Sequence, residues 1–181
     1  MFFHLRALRK IRASITLDIA KTVDCSIVST RLDYCKALYA GLSATNLSRL
    51  QRIQNAAARI VTQSSRRSHA SPILSDLHWL PVRARINFKL ATLTYKTLAS
   101  GKPNYLNNLL IPYIPKRQLR SAFSSKLAVP CRKSTMAQSK SFSSSAVSVW
   151  NSLPHSVTSA GDLKTFRTLL KTHLFTDRQI D

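Results

Sequence analysis

Glutamate is absent from this sequence, and its only acidic residues are seven aspartates at 18, 24, 33, 76, 162, 177 and 181. Polymerases and nucleases of the two-metal kind need carboxylates that converge on Mg²⁺. No two aspartates are adjacent here, and Asp18 and Asp24 are too far apart along a helix to share a face. From Leu77 to Gly161 there is no acid at all, while 12 Lys/Arg occur. This argues against a self-contained nucleic-acid enzyme and leaves no candidate catalytic residue. Glycine is scarce too: three in all, so P-loops and dinucleotide fingerprints have no material and no cofactor is expected. Cys25, Cys35 and Cys131 are an odd number without paired spacing, which fits a reducing compartment rather than a disulfide framework. Together with His4, His69, His78, His155 and His173 they show no zinc-ligand spacing, so no metal is expected. The serines lack a G-x-S-x-G elbow, and His155 follows Pro154 in a loop context. No apolar run approaches the roughly 18 residues of a spanning helix.

What the chain has in quantity is positive charge. Its 181 residues carry 28 Lys+Arg and a formal net charge of +21. At 44% hydrophobic it is not disordered by composition. The expected partner is a polyanion, nucleic acid first and an anionic membrane surface second. The start, MFFHLRALRKIRAS, is Arg-rich and amphipathic. It reads either as a mitochondrial presequence or as a basic helix inside a longer protein.

Apolar periodicity predicts a mainly α fold. Ile15, Ile19, Val23, Ile27, Tyr34 and Leu38 predict a long helix over 16–40, stopped by Gly41. A second helix over 46–63, capped by Thr45 or Asn46, gathers Leu50, Ile53, Ala57, Ile60 and Val61 on one side. After a polar break and a short helical turn between Pro72 and Pro81, a third helix over 81–99 has two apolar stripes. One is Val82, Ile86, Leu90 and Leu93; the other is Phe88, Ala91, Tyr95 and Leu98. Gly101 and Pro103 end it, and NYLNNLL adds a short fourth. Beyond Pro112 serine fills ten of the 28 positions from 121 to 148, and LRSA and KLAVP are the only strand candidates, at most a short hairpin. Phe142 to Trp150 and 162–175 are helical again, with Leu163, Phe166, Leu170 and Leu174 on one face. The expected organisation is a basic helical bundle over 1–111, a Pro/Ser-rich connection over 112–141 and a C-terminal helical segment over 142–181, forming one compact unit. Trp79 and Trp150, in apolar Pro-flanked contexts, are expected in the core rather than as base-stacking platforms.

Three of these helices carry Lys/Arg with no acid interleaved: opposite the apolar side on the second, on what the two stripes leave on the third, and on the face adjacent to the apolar one on the last. The candidate phosphate contacts are Arg49, Arg52 and Arg59 on the second helix and Arg66 and Arg67 in the polar break. Arg85, Lys89 and Lys96 on the third helix and Lys164, Arg167 and Lys171 on the last complete the set. Cationic faces of this kind contact RNA or DNA backbone; nothing points to base reading.

The stretches RLDYCKALYAGL, LQRIQNAAARIV, LHWLPVRARINFKLATLTYKTL, PNYLNNLL, VWNSLP and DLKTFRTLLKTHLF occur in that order. Together they resemble the C-terminal tail of reverse transcriptases from LINE-type, non-LTR retrotransposons of the Jockey-like group, from about His4 to Phe175. In that family the tail follows the palm and thumb. The resemblance implies a truncated, retroelement-derived tail of an RNA-directed DNA polymerase, without the Tyr-x-Asp-Asp metal site or the endonuclease. It implies help in gripping template RNA or target DNA, with the palm and thumb as partners in a full-length relative. The alternatives are a non-binding packing module of a larger reverse transcriptase, or a gene-model fragment with no function of its own. Met1 is then expected to be an internal methionine used as a start, which favours a nuclear or cytoplasmic location over a mitochondrial one, with no membrane partner. The chain departs from the family where AQSKSFSSS lacks the usual glycine and where Val149 replaces the leucine before Trp-Asn.

Overall fold

The computed structural model describes residues 2–34, 36–115, 126–130 and 141–176. The protein is mainly α. Its elements are α1 (Phe2–Ile11), α2 (Leu17–Asp24), α3 (Thr30–Asp33), α4 (Ala44–Val61), α5 (Ala70–Asp76) and α6 (Val82–Ser100). They continue with α7 (Asn104–Asn107), α8 (Phe142–Ser152), α9 (His155–Thr158) and α10 (Leu163–Thr176). Contacts divide the chain into two units. The first holds Met1–Lys36 and Leu42–Arg85, the second Ala37–Gly41 and Ile86–Asp181. Among the described residues no helix is long and apolar enough to cross a membrane.

In the first unit α1, α2 and α4 pack their apolar faces together. Leu5 and Leu8 of α1 meet Ala20, Val28, Leu32, Ala57, Ile60 and Val61 in one buried cluster, flanked by half-buried Ile15, Val23, Ile53 and Trp79. The long helix expected over 16–40 is not continuous. Thr16 caps α2 by accepting the Ile19 amide. One π turn, Cys25–Ser29, links α2 to α3. The backbone then turns extended at Tyr34, ψ 125°, and Lys36–Gly41 forms a 3₁₀ segment. The buried stripe is also displaced from the expected one. It is Ala20, Asp24, Val28 and Leu32, whereas Ile19, Tyr34 and Leu38 are 50%, 75% and 69% exposed. A small residue and a carboxylate in the buried row hide it from a hydropathy pattern.

The cap of α4 is Ser43, whose side chain accepts the Asn46 amide, rather than Thr45 or Asn46. With so few glycines, helices end on other residues in the left-handed region: Gln63 at φ 55° after α4 and His78 at φ 53° after α5. The amides of Gln63 and Ser64 return to the carbonyls of Ile60 and Arg59, the Schellman pattern. Gly101, φ 66°, closes α6 as its sequence position indicates. Gln54, buried in α4, donates its amide to the Leu80 carbonyl, 2.8 Å.

Arg12 is buried and works inside this unit. Its Nε donates to the Val61 carbonyl at 2.7 Å and its Nη1 to the Ile15 carbonyl at 2.8 Å. Val61 is the last residue of α4, where carbonyls lack helical partners and a cation is favoured. Arg12→Met keeps an apolar stem but removes both donors. The expected loss is about 2 kcal/mol, read from the urea midpoint at constant m-value. A change under about 0.5 kcal/mol would show that water replaces the guanidinium and that Arg12 does not cap α4.

The second unit is organised round Phe166, which is fully buried on α10 with Leu170. Its ring stacks on Tyr95 of α6 at 4.3 Å and on buried Trp150 of α8 at 6.0 Å. Tyr95 donates its hydroxyl to the Ala160 carbonyl at 2.8 Å. The stripes expected on α6 bury Ile86, Leu90 and Ala91, but Leu98 is 37% exposed and Thr94 and Thr97 are buried instead. Thr94 tolerates burial because its hydroxyl donates to the Leu90 carbonyl one turn back. KLAVP pairs, but through one antiparallel bridge, Pro112 to Leu127. LRSA, the other strand candidate of the expected hairpin, lies outside the described residues. Asn151 clamps it from α8: its side-chain amide accepts the Leu127 N–H at 2.9 Å and donates to the Leu127 carbonyl at 2.8 Å.

Candidate nucleic-acid interface

In the first unit Arg49 and Arg52 lie exposed on the face of α4 opposite the buried Ala57 and Val61. Arg59 is half-buried, and its Nε donates to the Ser68 carbonyl at 2.9 Å, pinning the loop that follows α4. Arg66 and Arg67 are exposed in that loop. Arg85 differs from the rest. Its guanidinium is 2.8 Å from Asp33, which also pairs with Lys36, so it is held as a structural cation tying α6 to the end of α3.

In the second unit Lys89 and Lys96 are exposed on α6, seven residues apart and so on one side of the helix. Lys164, Arg167 and Lys171 are exposed on α10, on the face adjacent to that of Phe166, Leu170 and Leu174. Lys171 Nζ lies 5.9 Å from the centre of the Phe175 ring. Asp162 caps α10 by accepting the Lys164 and Thr165 amides. Hydrogen bonds from Thr165, side chain first and then backbone, hold its carboxyl below the usual range. It therefore stays charged and partly offsets Lys164. Apart from Asp33 on Arg85, no carboxylate of the described residues forms an ion pair with any of the eleven candidates.

The structure brings together five arginines, Arg6, Arg9, Arg12, Arg59 and Arg66, of which the sequence candidates supply Arg59 and Arg66. Two adjoining cavities in the first unit, of about 360 and 290 Å³, share Arg9, Arg59, Ile60 and Arg66 as lining. Arg6 completes the wall of the larger one, and its floor is apolar: Phe2, Leu5, Ala56 and Ile60. The smaller adds Gln63 and Ser64. No acid lines either. Arg6 and Arg9 are missing from the sequence candidates because 1–15 reads as a leader or a lead-in helix. The available signal is the spacing of Leu5, Leu8 and Arg12, which turns one side of α1 inward and leaves Arg6 and Arg9 exposed.

Set against protein-family models, curated proteins and solved structures, the chain matches none.

Proposed function

We propose that this chain is a nucleic-acid-binding tail derived from a retroelement reverse transcriptase, gripping phosphodiester backbone without reading sequence. The observation that carries this is the placement of the cations. The solvent-facing sides of α4, α6 and α10 carry exposed Lys/Arg with almost no carboxylate to neutralise them, and five arginines line one groove. A solvated face ordinarily mixes signs; faces of one sign concentrate a polyanion and exchange its counterions for side chains. The ordered motifs from RLDYC to DLKTF support the retroelement origin. A second reading, a packing module of a larger reverse transcriptase, is favoured by Tyr105, Ile111, Tyr113 and Ile114, each more than half exposed in the second unit.

The test is affinity for RNA and DNA across a salt series. Binding should fall steeply with salt, with a slope of about −0.7 per contact on single strands and about −0.9 on duplex. Arg49→Gln with Arg52→Gln should flatten that slope by between about 1.4 and 1.8 units. The control pair, Lys102→Gln with Lys126→Gln, removes the same charge from exposed sites outside these faces. Equal losses from the two pairs would leave net charge as the whole explanation and sink the assignment to α4. No salt-dependent binding at all would favour the packing module.

A further inference from the structure

We infer that the arginine groove between α1, α4 and the loop after α4 seats one unpaired nucleotide, its base on the apolar floor and its phosphate on the arginines that flank it. The inference rests on the backbone-binding reading and adds a ligand class to it. The groove sets apolar and cationic groups side by side. Phe2, Leu5, Ala56 and Ile60 line the larger cavity together with Arg6, Arg9, Arg59 and Arg66, and the last two of these continue with Arg9 into the smaller one. A ligand that satisfies both kinds of lining has an apolar part joined to an anion. Nucleotides have that form, and exposed bases stack on aromatic rings and on guanidinium planes.

Size and form separate this ligand from the other polyanions. A cavity of about 360 Å³ is at the lower end of the range of small-ligand clefts, enough for one nucleotide. A duplex presents phosphates and sugars on its outside and keeps its base faces stacked, so it would leave the floor unfilled. A run of acidic residues would meet the arginines but offers no flat apolar group to the floor.

The arginines are divided between holding the groove and facing it. Arg12 is buried and commits Nε and Nη1 to the Val61 and Ile15 carbonyls. Arg59 uses Nε to fix Ser68, leaving its terminal nitrogens without a hydrogen bond among the described residues. Gln63 holds the loop at its left-handed turn, and its Nε2 donates to the Arg12 carbonyl at 3.3 Å. A non-glycine residue kept in that region costs free energy, and such positions cluster at ligand clamps. Here it turns the chain so that Arg66 comes back to the groove wall.

The experiment measures anisotropy of labelled strands with the full chain at fixed salt. The probes are a short oligothymidylate, an abasic strand of equal length and charge, and a duplex. The oligothymidylate should bind about tenfold tighter than the abasic strand, within the range for one stacked base. Phe2→Ala should erase that preference and leave the salt slope unchanged; Phe2 is 57% exposed, so the change spares the core. Arg66→Gln should flatten the slope by about 0.7 unit and keep the preference. Equal binding of thymidylate and abasic strands overturns the proposal, as does a preference that survives Phe2→Ala. Displacement of the strand by polyaspartate as readily as by oligothymidylate overturns it too. In those cases a steep salt slope leaves the backbone reading standing, whereas absence of salt-dependent binding to any strand removes both.

Discussion

Phe166→Ala should destabilise the second unit by about 3–5 kcal/mol. The ring is fully buried and is the middle of a three-ring stack, with Tyr95 at 4.3 Å on one helix and Trp150 at 6.0 Å on another. Its removal leaves a cavity that neither neighbour can fill without breaking a contact of its own. Tyr95 is held by its hydrogen bond to the Ala160 carbonyl, and Trp150 sits one residue from Asn151, which clamps Leu127. Aromatic pairs also contribute about 0.5–1.5 kcal/mol beyond their area. The measurement is urea unfolding followed by far-ultraviolet circular dichroism, with Trp150 fluorescence as a local probe. Phe166→Leu should recover about half of the loss because it refills part of the volume. A loss below about 1 kcal/mol for Phe166→Ala would show that α6, α8 and α10 are not joined through this ring. Trp79 should be less sensitive to truncation than Phe166, because it packs only half-buried at the edge of the first core.

Replacing Asp24 by asparagine should stabilise the first unit at neutral and basic pH. Asp24 is 1% exposed, and its Oδ1 has no hydrogen-bond partner among the described residues. The Ser29 hydroxyl donates to Oδ2 at 3.2 Å. Burial pushes the carboxyl up to about 6, against the lowering effects of Ser29 and the Arg85 charge. Above pH 6 the group is charged in both states, and folding bears the cost of burying that charge. Between pH 6 and the unfolded value near 3.8 the folded state takes up a proton that the unfolded state does not. Stability therefore rises as pH falls through this window, and below it both states are protonated. The shift corresponds to about 3 kcal/mol at most. The Asp24→Asn variant would keep a near-isosteric acceptor for the Ser29 hydroxyl without the charge. The difference between Asp24→Asn and wild type, from urea midpoints, should approach that value at about pH 8 and shrink towards zero at about pH 4. A difference that does not change with pH would mean that the carboxylate is solvated in the folded protein. A variant destabilised at the higher pH would mean that the Arg85 charge outweighs burial.

The sequence by itself determined where regular apolar faces met clear stop signals. α4, α6 and α10 follow from periodic leucine, isoleucine and alanine, bounded by a polar break, by Gly101 and by Asp162, and their outward Lys/Arg follow from the same periodicity. Burial of Trp150 and the exposed face of α10 were legible for that reason. The α2–α3 segment was not, because its inward row contains Ala20 and Asp24, which hydropathy ranks as neutral and outward. Only packing against α4 turns that row inside, with the π turn between α2 and α3. The chain ends α4 at Gln63 in a conformation that glycine would advertise, so that turn carried no signal either. The groove was beyond local reading altogether. Arg6 and Arg9 come from α1 and Arg59 and Arg66 from the last turn of α4 and the loop after it, and nothing in the local sequence of either segment marks them as neighbours. They form a site because Leu5 and Leu8 dock α1 onto the Ala57–Ile60–Val61 face of α4, while Arg12 fastens its end to the Val61 carbonyl. Hydrophobic burial and one hydrogen-bonded cation chose which charges became neighbours, and periodicity along a single helix holds no record of that choice.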